Sequence, residues 1–171
     1  MSPEKPPIRI LLFRLLTSRT ALIAMNAVFT YCTALILWGV VLEMRHGQPN
    51  MHELDQIIEG MAVISIAFGV ALESREDIME ILRLYPRFLC ATEERIDQVC
   101  KDFGIGFLLY GLFMEIPNQM VRIPNHIVNT AGIELPTLML SVVFVAAILL
   151  TSLMATWRLI RLPPLRKTKN H

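Results

Sequence analysis

The chain has 171 residues, 54% of them hydrophobic, and a net charge of +1. A soluble helical domain alternates apolar and polar positions, whereas 34–41 and 142–150 are apolar on every face. The near-neutral balance supplies no electrostatic footprint for nucleic acid, and the composition argues against an ordinary water-soluble domain.

In chain order, 1–7 is polar and proline-rich, and 8–16 is apolar with Arg9 and Arg14 interspersed. The latter segment is expected to lie in the inner membrane interface, its arginines reaching anionic headgroups. A continuous helix over 8–44 would be about 55 Å long, longer than a bilayer is thick, so a bend is expected near 17–19. The first apolar run, 20–43, matches the roughly 20 residues needed to cross a membrane. It exceeds the about 7–15 residues of a signal-peptide core, and no small-x-small cleavage site follows, so it reads as an uncleaved anchor. Within it Asn26 and Thr30 stand one turn apart, placed for hydrogen bonds between helices. The loop that follows carries His46, Met51 and His52. Imidazoles and thioethers suit late transition metals, but the spacing matches no closed metal motif. These three are weak candidates only, and no metal or other cofactor is expected.

The second run, 56–73, places Glu59, Ala62, Ile66, Gly69 and Glu73 on one helical stripe. Small residues on that stripe, together with Ser65, let a neighbouring helix approach closely. Ala62, Ser65 and Gly69 are therefore the expected helix-packing residues. Over 74–102 the spacing predicts a cytoplasmic helical hairpin, its first arm ending before Pro86. The second arm starts at Thr92, an N-cap with Glu93 and Glu94 in the first turn, and Asp97 and Lys101 form an i,i+4 pair.

The third run, 103–120, is the unusual one: apolar to Met114, then interrupted by Glu115, Pro117, Asn118 and Gln119, with Arg122 beyond. Pro117 predicts a kink or an early end to the helix. Ionisable groups at membrane depth are costly and mark function by default. Glu59, Glu115, Asn118 and Arg122 are therefore the candidate lining of a polar cavity. The fourth run, 136–157, can begin with Pro136 in its first turn. Pro163 and Pro164 stop it, and the tail 163–171 is basic.

Of the sixteen Lys and Arg, all but Arg45 and Arg122 fall before run one, between runs two and three, or after run four. The positive-inside rule then places both termini and the central loop in the cytoplasm. Cys32 sits in a span, Cys90 and Cys100 in the central loop, and no C-x-x-C occurs. No outward cysteine pair exists for quinone-linked disulfide formation. No Walker A, G-x-S-x-G, H-E-x-x-H or dinucleotide motif is present, so no enzymatic activity is expected.

The layout resembles that of the phosphate-starvation-inducible four-span membrane proteins, with Glu59-Gly60 in span two and Ala147-Ile148-Leu149-Leu150 in span four as the local points. No function is carried over from it. The expected fold is an all-α integral membrane protein: a single domain over 1–171, a four-transmembrane-helix bundle, N-in and C-in, with helical extensions into the cytoplasm. The expected role is a non-enzymatic accessory or structural subunit of a bacterial-type inner-membrane assembly. Its partners would be the lipid bilayer and another membrane protein or a second copy, bound through the small-residue stripe of span two and the cytoplasmic hairpin. The alternative is an oligomeric small channel or transporter using carboxylates in spans two and three.

Overall fold

The structure is a computed structural model that describes residues 18–45, 51–81, 91–125 and 134–162; side chains at 51–52, 91–92, 121–125 and 134–135 lie outside the description. Five helices follow in chain order: α1 (Arg19–Arg45), α2 (Met51–Glu73), α3 (Arg75–Ile81), α4 (Ala91–Asn125) and α5 (Glu134–Arg161). The interface segment expected over 8–16 and the basic tail lie outside the described residues.

Ser18 caps α1: its hydroxyl accepts the Ala21 N–H at 3.3 Å and its carbonyl accepts the Leu22 N–H at 3.0 Å. The cap starts the helix where a bend was expected. From Thr20 to Leu42 the helix carries no charge. α2 and α3 are almost one helix. The Ser74 N–H reaches the Val70 carbonyl at 2.9 Å and the Ile78 N–H reaches that of Ser74 at 3.0 Å, with only Ser74 in turn conformation.

α4 departs from expectation. It runs unbroken through Pro117 to Asn125, about 52 Å at 1.5 Å per residue. Pro117 has no N–H to donate to the Phe113 carbonyl, a local loss, but packing against both α2 and α5 keeps the two halves in one helix. Three helical stretches are long and apolar enough to cross a membrane: Arg19–Arg45, Glu53–Glu73 and Pro136–Arg161. α4 is not among them. Its first turns carry Glu93, Glu94, Asp97, Lys101 and Asp102, and Glu115, Asn118 and Gln119 dilute its later part.

The four long helices alternate in direction. Arg19, at the start of α1, donates to the carbonyls of Leu159 and Ile160 at the end of α5, at 3.0 and 2.9 Å. The guanidinium thereby satisfies two carbonyls left open at a helix C-terminus. α4 and α5 run antiparallel, with Phe113 stacked on Phe144 at 6.1 Å and Arg158 over the Phe103 ring at 5.5 Å. The most extensive contact joins α2 to α4; α1 and α2 meet only narrowly. At the centre Phe29, Phe68 and Phe107 converge from α1, α2 and α4, with ring centroids 4.6, 5.4 and 5.5 Å apart.

Large apolar side chains cover the outside of the bundle, and small polar ones lie within it. Val28, Tyr31 and Trp38 on α1, Leu109, Ile116 and Met120 on α4, and Val143, Leu150 and Trp157 on α5 all face outward. Asn26, Thr33, Ser65, Ser141 and Ser152 are buried. Large apolar surfaces are rare on soluble monomers, and small polar residues are favoured at helix interfaces in membranes.

Glycines set the α2–α4 spacing. A Cβ on Gly69 would lie 2.6 Å from the Gly104 carbonyl and the Leu108 nitrogen, and one on Gly111 would lie 2.8 Å from the Ala62 carbonyl. Gly69→Ala and Gly111→Ala should each lower unfolding stability in detergent by about 1–3 kcal/mol, the usual range for overpacking. Gly39→Ala and Gly60→Ala, where nothing stands within 4 Å of the added carbon, should be neutral to within about 0.5 kcal/mol. Urea or thermal unfolding of the four variants checks this.

Candidate functional site

The stripe of small residues on α2 is occupied by α4 of the same chain. Ser65 is buried and donates to the Phe107 carbonyl at 3.0 Å. Ala62 and Gly69 face Gly111 and Gly104. The expectation that this stripe binds another chain is corrected: its volume is filled from within, because glycines on both helices bring the two backbones together.

The same stripe continues toward the end of the bundle that holds the C-terminus of α4. On α4, Gly104, Leu108 and Gly111 face α2, and Glu115 and Asn118 extend that heptad. From the Ala62–Gly111 contact, three residues back on α2 and four onward on α4, the antiparallel register brings Glu59 level with Glu115. The seam is thus glycine-tight at Gly69, Gly104 and Gly111 and carries Glu59 and Glu115 beyond Gly111. Glu59 and Glu115 are half-buried, and Asn118 is 6% exposed. Gln119 Nε2 donates to Glu115 Oε1 at 2.6 Å, one turn along the helix. The other carboxylate oxygen of Glu115 and the Asn118 amide nitrogen are buried without a hydrogen-bond partner among the described residues. One accepts and the other donates, so a single water or hydroxyl between them would satisfy both. The side chain of Arg122, the fourth expected member of this cavity, lies outside the described residues.

A second buried polar cluster stands at the opposite end, where α3 meets α4. Arg75 is 3% exposed and pairs with Glu93 at 3.2 Å and with Asp97, itself 7% exposed. Asp97, expected to pair with Lys101, turns inward to Arg75, while Lys101 is exposed. The burial of Arg75 left no mark in the sequence, where it is one of several basic residues in a charged segment. Cys100 lies one turn beyond Asp97 and is buried. Burial pushes its thiol from the ordinary 9.0 up to about 11; the Arg75 charge opposes the rise and Glu93 adds to it.

Between α1 and α5 the polar groups form a clasp. Asn26 Nδ2 donates to the Ser152 carbonyl at 2.9 Å and to Thr156 Oγ1 at 2.7 Å, and Ser152 Oγ donates to Asn26 Oδ1 at 3.2 Å. Thr30 Oγ1 hydrogen-bonds the Ser152 hydroxyl. The partners of Asn26 were not named from the sequence, although Ser152 and Thr156 show the same one-turn spacing as Asn26 and Thr30.

Among the described residues no three His, Cys, Asp or Glu gather closely enough to hold a metal ion. His46 lies outside the described residues, as do the side chains of Met51 and His52. No protein-family model, curated protein or solved structure matches this chain.

Replacing Arg75 with Met would leave Asp97 buried without its countercharge. We expect a loss of about 3 kcal/mol in unfolding stability, the scale for removing one partner of a buried ion pair. The Arg75→Met/Asp97→Leu double variant should recover much of it. Cys100 gives an independent pH signature. Its thiol titrates higher in the folded state than in the unfolded one, so its contribution is fully present below pH 9.0 and is lost as pH rises toward about 11. In a Cys32→Ser/Cys90→Ser background, stability should fall more steeply above pH 9.0 than after the further change Cys100→Ala; unfolding curves across that window check it.

Proposed function

We propose that this chain is a four-span membrane protein with both termini in the cytoplasm, serving as a non-enzymatic structural or accessory subunit of a bacterial-type inner-membrane assembly. Three helices are long and apolar enough to cross a bilayer. α4 lies antiparallel between α2 and α5, and its outer face bears Ile105, Leu109, Leu112, Ile116 and Met120. A membrane crossed by α2 and α5 is then crossed by α4 with them. Alternation of the helices gathers Arg19, Arg75, Lys101, Arg158 and Arg161 at one end, which supports the inward assignment of that end.

The observation that carries the structural role is the centre of the bundle. Phe29, Phe68 and Phe107 meet there, and Met114, Val145 and Ile148 are also buried. Close packing of side chains along the axis suits a scaffold and opposes a pore through one protomer. The second reading, an oligomeric channel or transporter, draws on the buried Glu115 oxygen and Asn118 amide, since polar groups at such depth mark ion paths.

Flux into proteoliposomes separates the two. The structural reading expects wild-type protein to pass no more of any monovalent cation than empty liposomes do. A flux that disappears in Glu115→Gln would replace it with the transport reading. Orientation is tested in a chain lacking its native cysteines: Glu76→Cys should react only with a cytoplasmic thiol reagent, Arg45→Cys only with an external one.

A further inference from the structure

Two surface features of α1 remain without a role, and they lie side by side. The first is a stripe. Val28, Tyr31, Leu35, Trp38, Leu42 and Arg45 recur at alternating intervals of three and four residues, the spacing of a coiled-coil seam. All six are exposed, Trp38 to 64%, and the stripe points directly away from the bundle interior. The second is a groove of about 550 Å³ between the loosely associated α1 and α2. Leu35, Gly39 and Val40 line it from α1, and Ile57, Gly60 and Ile64 from α2. Its end nearest the α1–α2 connection is acidic, with Glu43 on one wall and Glu53 on the other. Added carbons at Gly39 and Gly60 would meet nothing within 4 Å, so both glycines look onto open space.

We propose that the stripe of one copy packs against the stripe and groove of a second copy, forming a parallel two-fold dimer through α1. The proposal rests on the membrane-spanning reading, because insertion gives all copies the same orientation and holds equal residues at equal depth. A two-fold axis along the membrane normal then brings the α1 helices together in parallel. Helical phase, at about 100° per residue, decides what meets what. Trp38 and Arg45 lean to one flank of the stripe, and Gly39 and Glu43 lean to the other, beside the groove. In a parallel two-fold pair the opposite flanks of the two helices face each other, as e and g positions do in coiled coils. Trp38 of each copy therefore meets the glycine-lined groove of the other. Arg45 of each copy reaches the acidic rim formed by Glu43 and Glu53 of the other. The large side chain faces the open glycines and the cation faces the carboxylates at matching depth; that complementarity of shape and charge selects a second copy of this chain over an unrelated helix.

The test uses the full chain in phosphatidylethanolamine–phosphatidylglycerol vesicles. In a Cys32→Ser/Cys90→Ser background, Val28→Cys, Leu35→Cys and Leu42→Cys should each form disulfide-linked dimers on mild oxidation, whereas Val143→Cys on the outer face of α5 should not. Gly60→Leu, whose first added carbon meets nothing within 4 Å and whose side chain enters the groove, should weaken association about tenfold. Arg45→Glu and Glu43→Arg should each weaken it likewise, and the two together should restore it. Carbonate extraction of the same vesicles keeps the two readings apart. Protein that stays in the membrane but remains monomeric, or whose dimer is indifferent to Gly60→Leu and to the charge exchange, overturns the proposal alone. Occupation of the stripe by a different protein chain overturns it too. Protein released by carbonate overturns the membrane-spanning reading beneath it.

Discussion

The close approach of α2 and α4 is the contact on which the rest of this bundle depends. Inside a bilayer, helices gain little from leaving lipid, and association rests on how tightly surfaces pack. Gly69, Gly104 and Gly111 remove the side chains that would hold the two backbones apart. Ser65 then reaches across to a backbone carbonyl. This one seam fixes a helix that its own composition does not commit to the membrane. It keeps α4 straight enough to survive Pro117 and presents Phe107 to the ring cluster at the centre. It also decides which surfaces remain for other chains, because the stripe most suited to a partner is already used.

Polar groups are distributed along the bundle by what can satisfy them. At the basic end Arg75 holds two carboxylates, and Arg19 caps the last carbonyls of α5. About two turns in from that end the Asn26 clasp closes its hydrogen bonds within the α1–α5 interface. At the other end Glu115 and Asn118 have, among the described residues, a complementary acceptor and donor without partners. Unmatched polar atoms cost about 1–3 kcal/mol each when buried, which is why this end of the α2–α4 seam is the place to look for a bound water or ion. The two ends thus differ in kind: one is a closed ionic lock, the other an open polar seam.

Much of the architecture was legible from apolar runs and turn residues. Glu93 and Glu94, in the acidic first turn of α4, mark a helix start by a local rule that needs no neighbour. The stripe of Glu59, Ala62, Ile66 and Gly69 was legible as a packing face because three- and four-residue spacing is a property of the helix alone. Pro117 misled, because the cost of one missing hydrogen bond is local while the gain that offsets it comes from two flanking helices. Asp97 misled for a similar reason: a lysine one turn away is a partner readable in sequence, whereas Arg75 comes from another helix.

By itself the sequence determined the all-helical class and the apolar character of the long segments, since composition and periodicity are carried by each segment alone; it expected four spans, where three of the five helices are apolar enough to cross a membrane. It also determined the gathering of basic residues in alternate connections. Only the tertiary structure decided which helix fills the small-residue stripe, which carboxylates share a cation, and which outer face is left with a groove beside it. Those outcomes depend on the rotation of each helix about its axis and on its neighbours, and both are set when backbones separated by dozens of residues come within van der Waals distance.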